Sequence, residues 1–221
     1  MKRLFFFALM LIPMLGLSAQ ERTYSAHYYD RVNEFAQEVP ITQQDIVMLG
    51  NSLTEFAGDW SERLGKPNIM NRGIIGDEVM GVYDRLDQIL PGKPRKLFLL
   101  IGINDVSHNL SADSIAGLIT LIIDKIQQDT PDTKLYLQSL LPINESFHHY
   151  KLLTGKTNLI PLINKKLKII AKSHHVKFIN LFDCFKEKNS YSLRKEVTID
   201  GLHLNEDGYA IWCKRLKRFI E

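Results

Sequence analysis

The feature that most constrains the fold is a regular alternation of short apolar runs with helix-like segments. Five runs have the composition of buried strands, and they span residues 46–49, 68–72, 96–101, 134–140 and 176–181. Strands that alternate with helices in this way join through right-handed crossovers into a parallel sheet that is covered on both faces. We therefore predict an α/β fold with three layers, α/β/α, around a five-stranded parallel sheet. We expect the flavodoxin-like order 2-1-3-4-5, by analogy with known doubly wound sheets.

The segments between and after these strands carry apolar residues at helical spacing. The predicted buried faces are Val79, Val82, Leu86, Ile89 and Leu90, ending at Pro91; Ile115, Leu118, Ile119, Ile122 and Ile126, capped by Ser111; Leu159, Leu162, Ile163, Leu167 and Ile170; and Tyr209, Trp212, Leu216 and Phe219, capped by Asn205. A further helix is expected within the polar stretch 21–45. We find no internal repeat or linker and predict a single domain over residues 20–221.

Residues 1–19 have the layout of a secretory signal peptide. Lys2 and Arg3 precede an apolar run over residues 4–15, and Ala19 supplies a small residue for cleavage. The run is short for a transmembrane helix, and no later segment approaches the required length. We therefore expect an exported protein, periplasmic or secreted, with no integral membrane segment after cleavage.

Charge and cysteine content narrow the function classes. The chain has 28 Lys and Arg against 25 Asp and Glu, and losing Lys2 and Arg3 with the leader brings the net charge near +1. So small a basic excess argues against nucleic-acid binding. Cys184 and Cys213 are compatible with a disulfide or with two buried thiols. No His, Cys and carboxylate cluster completes a metal site, so we expect neither metal nor cofactor.

A serine follows the first predicted strand, where open α/β sheets place their chemistry. Ser52 lies in Gly50-Asn51-Ser52-Leu53, directly after the buried run 46–49. Serine is a weak nucleophile that needs a base, and the base needs a partner to hold its tautomer. His203 and Asp200, near the other end of the chain, supply both residue types. Ser52 as a simple helix cap is the alternative.

The turns after the second and third strands add hydrogen-bond donors. In a sheet of order 2-1-3-4-5 they meet the first turn at the topological switch point. Gly76 lets the backbone approach a ligand closely, and the Asn104 carboxamide offers an N–H on a short arm. Together with the Ser52 N–H, these groups are the donors that a developing oxyanion in acyl transfer requires.

Four blocks of the sequence resemble the SGNH (GDSL-type) hydrolases. They are Gly-Asn-Ser-Leu at 50–53, the glycine at 76, Gly-Ile-Asn-Asp at 102–105 and Asp-Gly-Leu-His at 200–203, in the family's order. Residues 28–60 also resemble those of exported bacterial acylhydrolases and acetylesterases. The resemblance implies the SGNH hydrolase fold, with Ser52 as nucleophile, His203 as base and Asp200 as orienting acid. It also implies an oxyanion hole made of Ser52 N–H, Gly76 N–H and Asn104.

The sequence departs from the family pattern at Asn51, where the family usually has aspartate. Asparagine keeps the shape of the side chain and loses its charge, so we expect the turn to survive.

The irregular stretch 142–156 follows the fourth strand and is expected to overhang the same rim as Ser52. Loops of this length without regular structure are frequently functional. We predict substrate contacts from Phe147, His149 and Tyr150 of this loop and from Trp60.

The predicted function is a serine esterase that works through an acyl-enzyme, acting on short-chain, acetyl esters of carbohydrates. Its substrate is a small-molecule or glycan ester. Three alternatives share the fold: a lysophospholipase- or thioesterase-like acylhydrolase, an O-acyltransferase to sugar, and a non-catalytic carbohydrate-binding protein. The sequence leaves these alternatives and the oligomeric state open.

Overall fold

The sheet in this computed structural model, which describes residues 22–221, has five parallel strands in the order β2-β1-β3-β4-β5. The strands are β1 (Ile46–Gly50), β2 (Ile69–Gly73), β3 (Lys96–Leu100), β4 (Lys134–Gln138) and β5 (Lys177–Ile179). The interior strand β1 pairs with β2 on one side and β3 on the other, in parallel register. The predicted sheet order is confirmed.

Helices connect these strands and cover both faces of the sheet. They are α1 (Ala26–Gln37), α2 (Ser52–Glu55), α3 (Trp60–Leu64), α4 (Val79–Asp84), α5 (Ile103–Ser107), α6 (Ala112–Asp129), α7 (Leu159–Ser173), α8 (Phe182–Phe185) and α9 (Glu206–Ile220). The N-caps predicted for two of them are confirmed: the Ser111 hydroxyl accepts the Ser114 N–H, and Asn205 Oδ1 accepts the Gly208 N–H.

Alternating side chains of the strands divide the core into two layers. In β1, Val47 and Leu49 pack on the face covered by α4, α6 and α7, while Ile46 and Met48 pack on the face covered by α3, α8 and α9. This division follows from the two-residue period of a strand. All five residues of β1 are buried, as expected for an interior strand with helices on both faces.

The prediction of one continuous helix from 79 to 90 is wrong, because the observed helix is shorter. The helix α4 ends at Asp84, and two 3₁₀ turns, Leu86–Gln88 and Leu90–Gly92, carry the chain onward. The apolar residues of this segment are nevertheless buried, because side chains three positions apart lie on one side of a 3₁₀ turn as they do on an α-helix.

The predicted buried face of α7 is correct at Ile163 and Leu167 and wrong at Leu162, whose side chain is exposed. Ile160 is buried instead, so the apolar face is rotated from the predicted one. The fourth strand is also shorter than predicted: the Leu140 N–H donates to the Asn164 side chain of α7 rather than to a neighbouring strand.

Three further predictions concern the leader, membrane-spanning helices and the two cysteines. The predicted leader and its cleavage site lie outside the described residues. Within residues 22–221, no helix has the length and apolar character to cross a membrane. Cys184 and Cys213 are free thiols and are not bonded to each other.

Gly50 and Gly117 give a matched test of packing at the end of β1. A Cβ on Gly50 would lie 2.3 Å from the Leu100 carbonyl oxygen and 2.4 Å from Thr54 Oγ1, whereas a Cβ on Gly117, exposed on α6, meets nothing within 4 Å. We expect Gly50→Ala to lower the free energy of unfolding by about 2–3 kcal/mol through overpacking. Gly117→Ala should raise it by up to about 1 kcal/mol through helix propensity.

Urea unfolding of both variants checks this expectation. A Gly50→Ala protein as stable as the wild type would contradict the described packing of this turn.

Candidate active site

Ser52 occupies the first position of the short helix α2, immediately after β1. Asn51 caps this helix, because its Oδ1 accepts the Leu53 N–H at 3.1 Å. The turn therefore forms with asparagine at this position, as expected. The Asn51 side chain is fully buried, and its Nδ2 has no hydrogen-bond partner among the described residues. Leaving such a donor unpaired costs about 1–3 kcal/mol.

The structure brings Ser52, His203 and Asp200 into one hydrogen-bonded chain. The Ser52 Oγ lies 2.9 Å from His203 Nε2, and His203 Nδ1 lies 2.7 Å from Asp200 Oδ2. Ser52 and His203 lie 151 positions apart in the sequence, so only the fold brings them into contact. The arrangement can move a proton from the serine hydroxyl to an imidazole that is held by a carboxylate.

The loop that carries Asp200 and His203 is held by its own backbone. Asp200 Oδ1 accepts the N–H groups of Leu202 and His203 at 2.9 and 2.7 Å. Gly201 has φ +89°, and a Cβ there would lie 2.4 Å from the Asn144 carbonyl oxygen. Burial by itself raises the pKa of Asp200, but hydrogen bonds from His203, Leu202 and Tyr150 outweigh it and hold that pKa below its usual value.

The predicted oxyanion donors lie on turns that are bonded to one another. Among the described residues, neither the Ser52 N–H nor the Gly76 N–H donates to an acceptor, and Gly76 adopts φ +78°. The Asn104 Nδ2 donates to the Asp77 carbonyl oxygen at 2.8 Å, which places the carboxamide one residue from Gly76. The Ile74 N–H donates to the Gly50 carbonyl oxygen, so the second turn lies against the first.

A buried ion pair between Asp77 and Arg85 connects these turns. Arg85 Nε and Nη2 both lie 2.9 Å from Asp77 Oδ2, and Nη2 also donates to the Gly50 carbonyl oxygen at 3.0 Å. The side chains are 0% and 2% exposed. The third turn joins through Asp105, whose carboxylate accepts the Val79 N–H at the start of α4. Burial raises the pKa of Asp105 to about 6.

A second carboxylate, Glu55 of α2, holds the backbone beside Gly76. Its Oε2 accepts the Ile75 N–H at 2.5 Å, and His27 Nε2 of α1 lies 3.0 Å from its Oε1. Arg31 Nε lies 3.7 Å from the same oxygen. The helix α1 on the flank of the sheet thus reaches the glycine turn through Glu55.

The residues predicted to contact substrate lie in three different environments. The prediction for Trp60 is wrong, because its side chain is fully buried against Trp212 and its Nε1 donates to the Thr54 carbonyl oxygen. Phe147 and His149 are exposed on the loop beside the Asp200–His203 segment. Tyr150 is part-buried, and its hydroxyl contacts Asp200 and His203.

Sequence reasoning missed Glu55, Arg85 and the carboxylate of Asp77 as supports of this site. Asp77 stands beside Gly76 and Glu55 lies three residues after Ser52, so proximity to the recognised blocks was an available indication for both. Arg85 lies in a helix-like segment with no motif, and only its burial beside Asp77 reveals its position.

Exposed apolar side chains lie around the candidate site. Phe56 is 46% exposed and its ring centroid is 5.0 Å from that of His203. Ile75 precedes Gly76 and Ile199 precedes Asp200, and both are exposed, as is Phe147. No strongly apolar loop is evident in the sequence at this rim, because these residues come from four separate segments.

Known proteins resemble this chain over most of its length. The family model of GDSL-like lipases and acylhydrolases matches residues 41–211. Human platelet-activating factor acetylhydrolase IB subunit alpha2 is 26% identical over 194 residues, which cover 85% of this chain and 81% of the relative.

Solved structures share the fold. A GDSL-like lipase from Bacteroides thetaiotaomicron has a TM-score of 0.76 at 23% identity, with 87% of this chain and 96% of that chain covered. An acetyl-xylooligosaccharide esterase from a Geobacillus has a TM-score of 0.65 at 16% identity, with 80% and 94% covered.

Replacing Arg85 tests the buried ion pair. We expect Arg85→Met to lower the free energy of unfolding by about 3–5 kcal/mol near neutral pH, because Asp77 is left buried and uncompensated. The loss should shrink as the pH falls, since burial raises the pKa of Asp77 and protonation of the folded state then removes the unpaired charge.

Arg22→Met is the control, because Arg22 forms an exposed ion pair with Asp84 and should cost at most about 1 kcal/mol. Chemical unfolding of both variants between pH 5 and 8 provides the measurement; equal losses in the two variants would contradict the role given to Arg85.

Proposed function

Because the chain belongs to the GDSL-like lipase/acylhydrolase family, we propose that it is a carboxylic ester hydrolase that works through an acyl-enzyme on Ser52. The observation that carries this proposal is the hydrogen-bonded chain from Ser52 Oγ through His203 to Asp200, with contacts of 2.9 and 2.7 Å. The residues that flank it come from turns that the buried Asp77–Arg85 pair holds together.

In the proposed reaction, Ser52 Oγ attacks the ester carbonyl carbon while His203 Nε2 accepts the hydroxyl proton. Asp200 stabilises the imidazolium that forms. The tetrahedral intermediate collapses, the C–O bond to the alcohol breaks, and the alcohol leaves with the proton from His203. Water then attacks the acyl-enzyme with His203 again as base, which releases the acid and restores Ser52.

The N–H groups of Ser52 and Gly76 and the carboxamide of Asn104 are the proposed donors to the oxyanion. Two facts support this assignment. The two backbone donors have no acceptor among residues 22–221, and the Asn104 side chain is already oriented by its bond to the Asp77 carbonyl oxygen. Donors that are held in place before the reaction need no reorganisation when the charge develops.

We propose short acyl groups, and acetyl in particular, on a carbohydrate alcohol. The support is a shared fold with an acetyl-xylooligosaccharide esterase, which links this architecture with acetylated sugars in that protein. Phe56 offers an exposed aromatic ring next to His203, on which an apolar face of a sugar can pack.

Export of the protein to the periplasm or the medium is also part of this proposal. N-terminal sequencing of the protein from a periplasmic extract tests whether the leader is removed.

A second candidate function is the hydrolysis of an acetyl ester whose alcohol is amphiphilic. The exposed Phe56, Ile75, Phe147 and Ile199 favour it, because apolar side chains around a polar site suit an alkyl chain beyond the ester. The relatives named as platelet-activating factor acetylhydrolases agree with an acetyl group in this candidate as well. Both candidates therefore share the acyl group and differ in the alcohol.

Graded replacements test the assigned roles. Ser52→Ala should lower kcat for p-nitrophenyl acetate by at least about 10³-fold, and Asn104→Ala by about 10²–10³-fold with the fold intact. A fluorophosphonate should label Ser52 in the wild type, located by peptide mass spectrometry. Ser173→Ala, at the exposed end of α7, is the control and should retain activity. Near-normal hydrolysis by Ser52→Ala would exclude this serine as the nucleophile.

Two substrate series test the preference for the acyl group and the preference for the alcohol independently. With p-nitrophenyl esters of increasing chain length, kcat/KM should fall steeply beyond acetyl. Acetylated xylo-oligosaccharides and acetyl esters of long-chain alcohols, compared at equal concentration, then distinguish the two alcohols. Faster hydrolysis of the amphiphile would favour the second candidate, and a rate that rises with acyl length would reject the short acyl group.

A further inference from the structure

The hydroxyl of Tyr150 meets both members of the Asp200–His203 pair. It lies 2.8 Å from Asp200 Oδ2 and 2.9 Å from His203 Nδ1, while Nδ1 and Oδ2 are 2.7 Å apart. The three atoms form a nearly equilateral triangle. Tyr150 belongs to the irregular loop that follows β4, between the 3₁₀ turns Glu145–Phe147 and Lys151–Leu153. This loop therefore reaches the imidazole at the nitrogen that does not face Ser52.

The triangle determines which group donates to which. The Nδ1–H can point along only one edge, and the shortest edge leads to Asp200 Oδ2. An Nδ1 that carries a hydrogen has no lone pair to accept another, so the Tyr150 O–H also points to Oδ2. Burial and the nearby Asp200 carboxylate both raise the pKa of Tyr150, so its hydroxyl keeps its proton and remains a donor.

The Asp200 carboxylate receives four hydrogen bonds from the residues that the structure describes. Its Oδ1 takes two backbone N–H groups, and its Oδ2 takes the imidazole and the tyrosine. The rings that face His203 are those of Phe56 and Tyr150, and the His149 ring packs on Tyr150 with centroids 4.8 Å apart. Among the described residues, Asp200, Tyr150 and Ser52 are the titratable or nucleophilic groups within hydrogen-bond distance of the imidazole.

We propose that Tyr150 is a positioning residue for the proposed ester hydrolysis, whose O–H fixes the Asp200 carboxylate and withdraws part of its negative charge from His203. This inference rests on the proposed function. A carboxylate with two donors on Oδ2 cannot rotate freely, so the imidazole stays aligned with Ser52. The same bond limits how strongly Asp200 favours the imidazolium over the neutral imidazole that must accept the serine proton.

Tyr150→Phe removes the donor and keeps the ring. Without the O–H, more of the Asp200 charge acts on His203, the imidazolium becomes more stable, and the acid limb of the kcat/KM profile moves to higher pH. We expect a shift of about half to one pH unit, with kcat on the plateau lowered about 3–10-fold and KM changed less than about twofold. Tyr191→Phe is the control, because Tyr191 lies on a neighbouring exposed segment and packs on Phe182.

Two further measurements separate this inference from its alternatives. In the Ser52→Ala background, the pH midpoint of the His203 ring resonances, followed by NMR, should rise when Tyr150→Phe is added. In the Asp200→Ala background, Tyr150→Phe should change the residual rate less than about twofold, because the Tyr150 hydroxyl has lost the oxygen that accepts its hydrogen bond.

An unchanged acid limb with a raised KM would make Tyr150 a substrate contact, and an unchanged limb with lowered thermal stability would make it only a packing residue; either result overturns the inference. If Ser52→Ala hydrolyses esters normally, the proposed function fails first, and the NMR midpoint still reports the Tyr150–Asp200 contact.

Discussion

The buried pair of Asp77 and Arg85 is the interaction on which the candidate site depends. An ion pair with almost no exposed surface offsets its desolvation cost only through close contact and further hydrogen bonds. Here Arg85 Nη2 also binds the Gly50 carbonyl oxygen, while Arg85 Nη1 has no partner among the described residues. The Asp77 carbonyl oxygen accepts a hydrogen bond from the Asn104 side chain. One contact network therefore joins the turns after β1, β2 and β3, which carry the proposed oxyanion donors.

Two separate parts of the chain support the candidate site. The helix α1 reaches the Gly76 turn through His27 and Glu55, and the loop after β4 reaches Asp200 and His203 through Tyr150. The site itself is polar and held by backbone and carboxylate contacts, whereas exposed apolar side chains such as Phe56 and Ile199 surround it.

Regular elements and motif residues were predictable where local pattern alone decides them. The five strands, the Ser111 and Asn205 caps and the two-sided covering of the sheet follow from side-chain periodicity and capping chemistry. Prediction failed where packing selects among similar local choices. The apolar spacing after Val79 suits an α-helix or 3₁₀ turns equally, and an aromatic such as Trp60 suits a core or a binding surface until its neighbours are known.

The sequence by itself determined the strands, their parallel arrangement and the residue types of the candidate site, because strand periodicity and the four blocks are local properties of the chain. Only the tertiary structure decided which side chains support them. Arg85, Glu55 and Tyr150 act through contacts with residues 35, 20 and 50 positions away, and no local pattern encodes such distances. The same reason explains Asn51: its cap to Leu53 is local and predictable, while the unpartnered amide arises from the surrounding core.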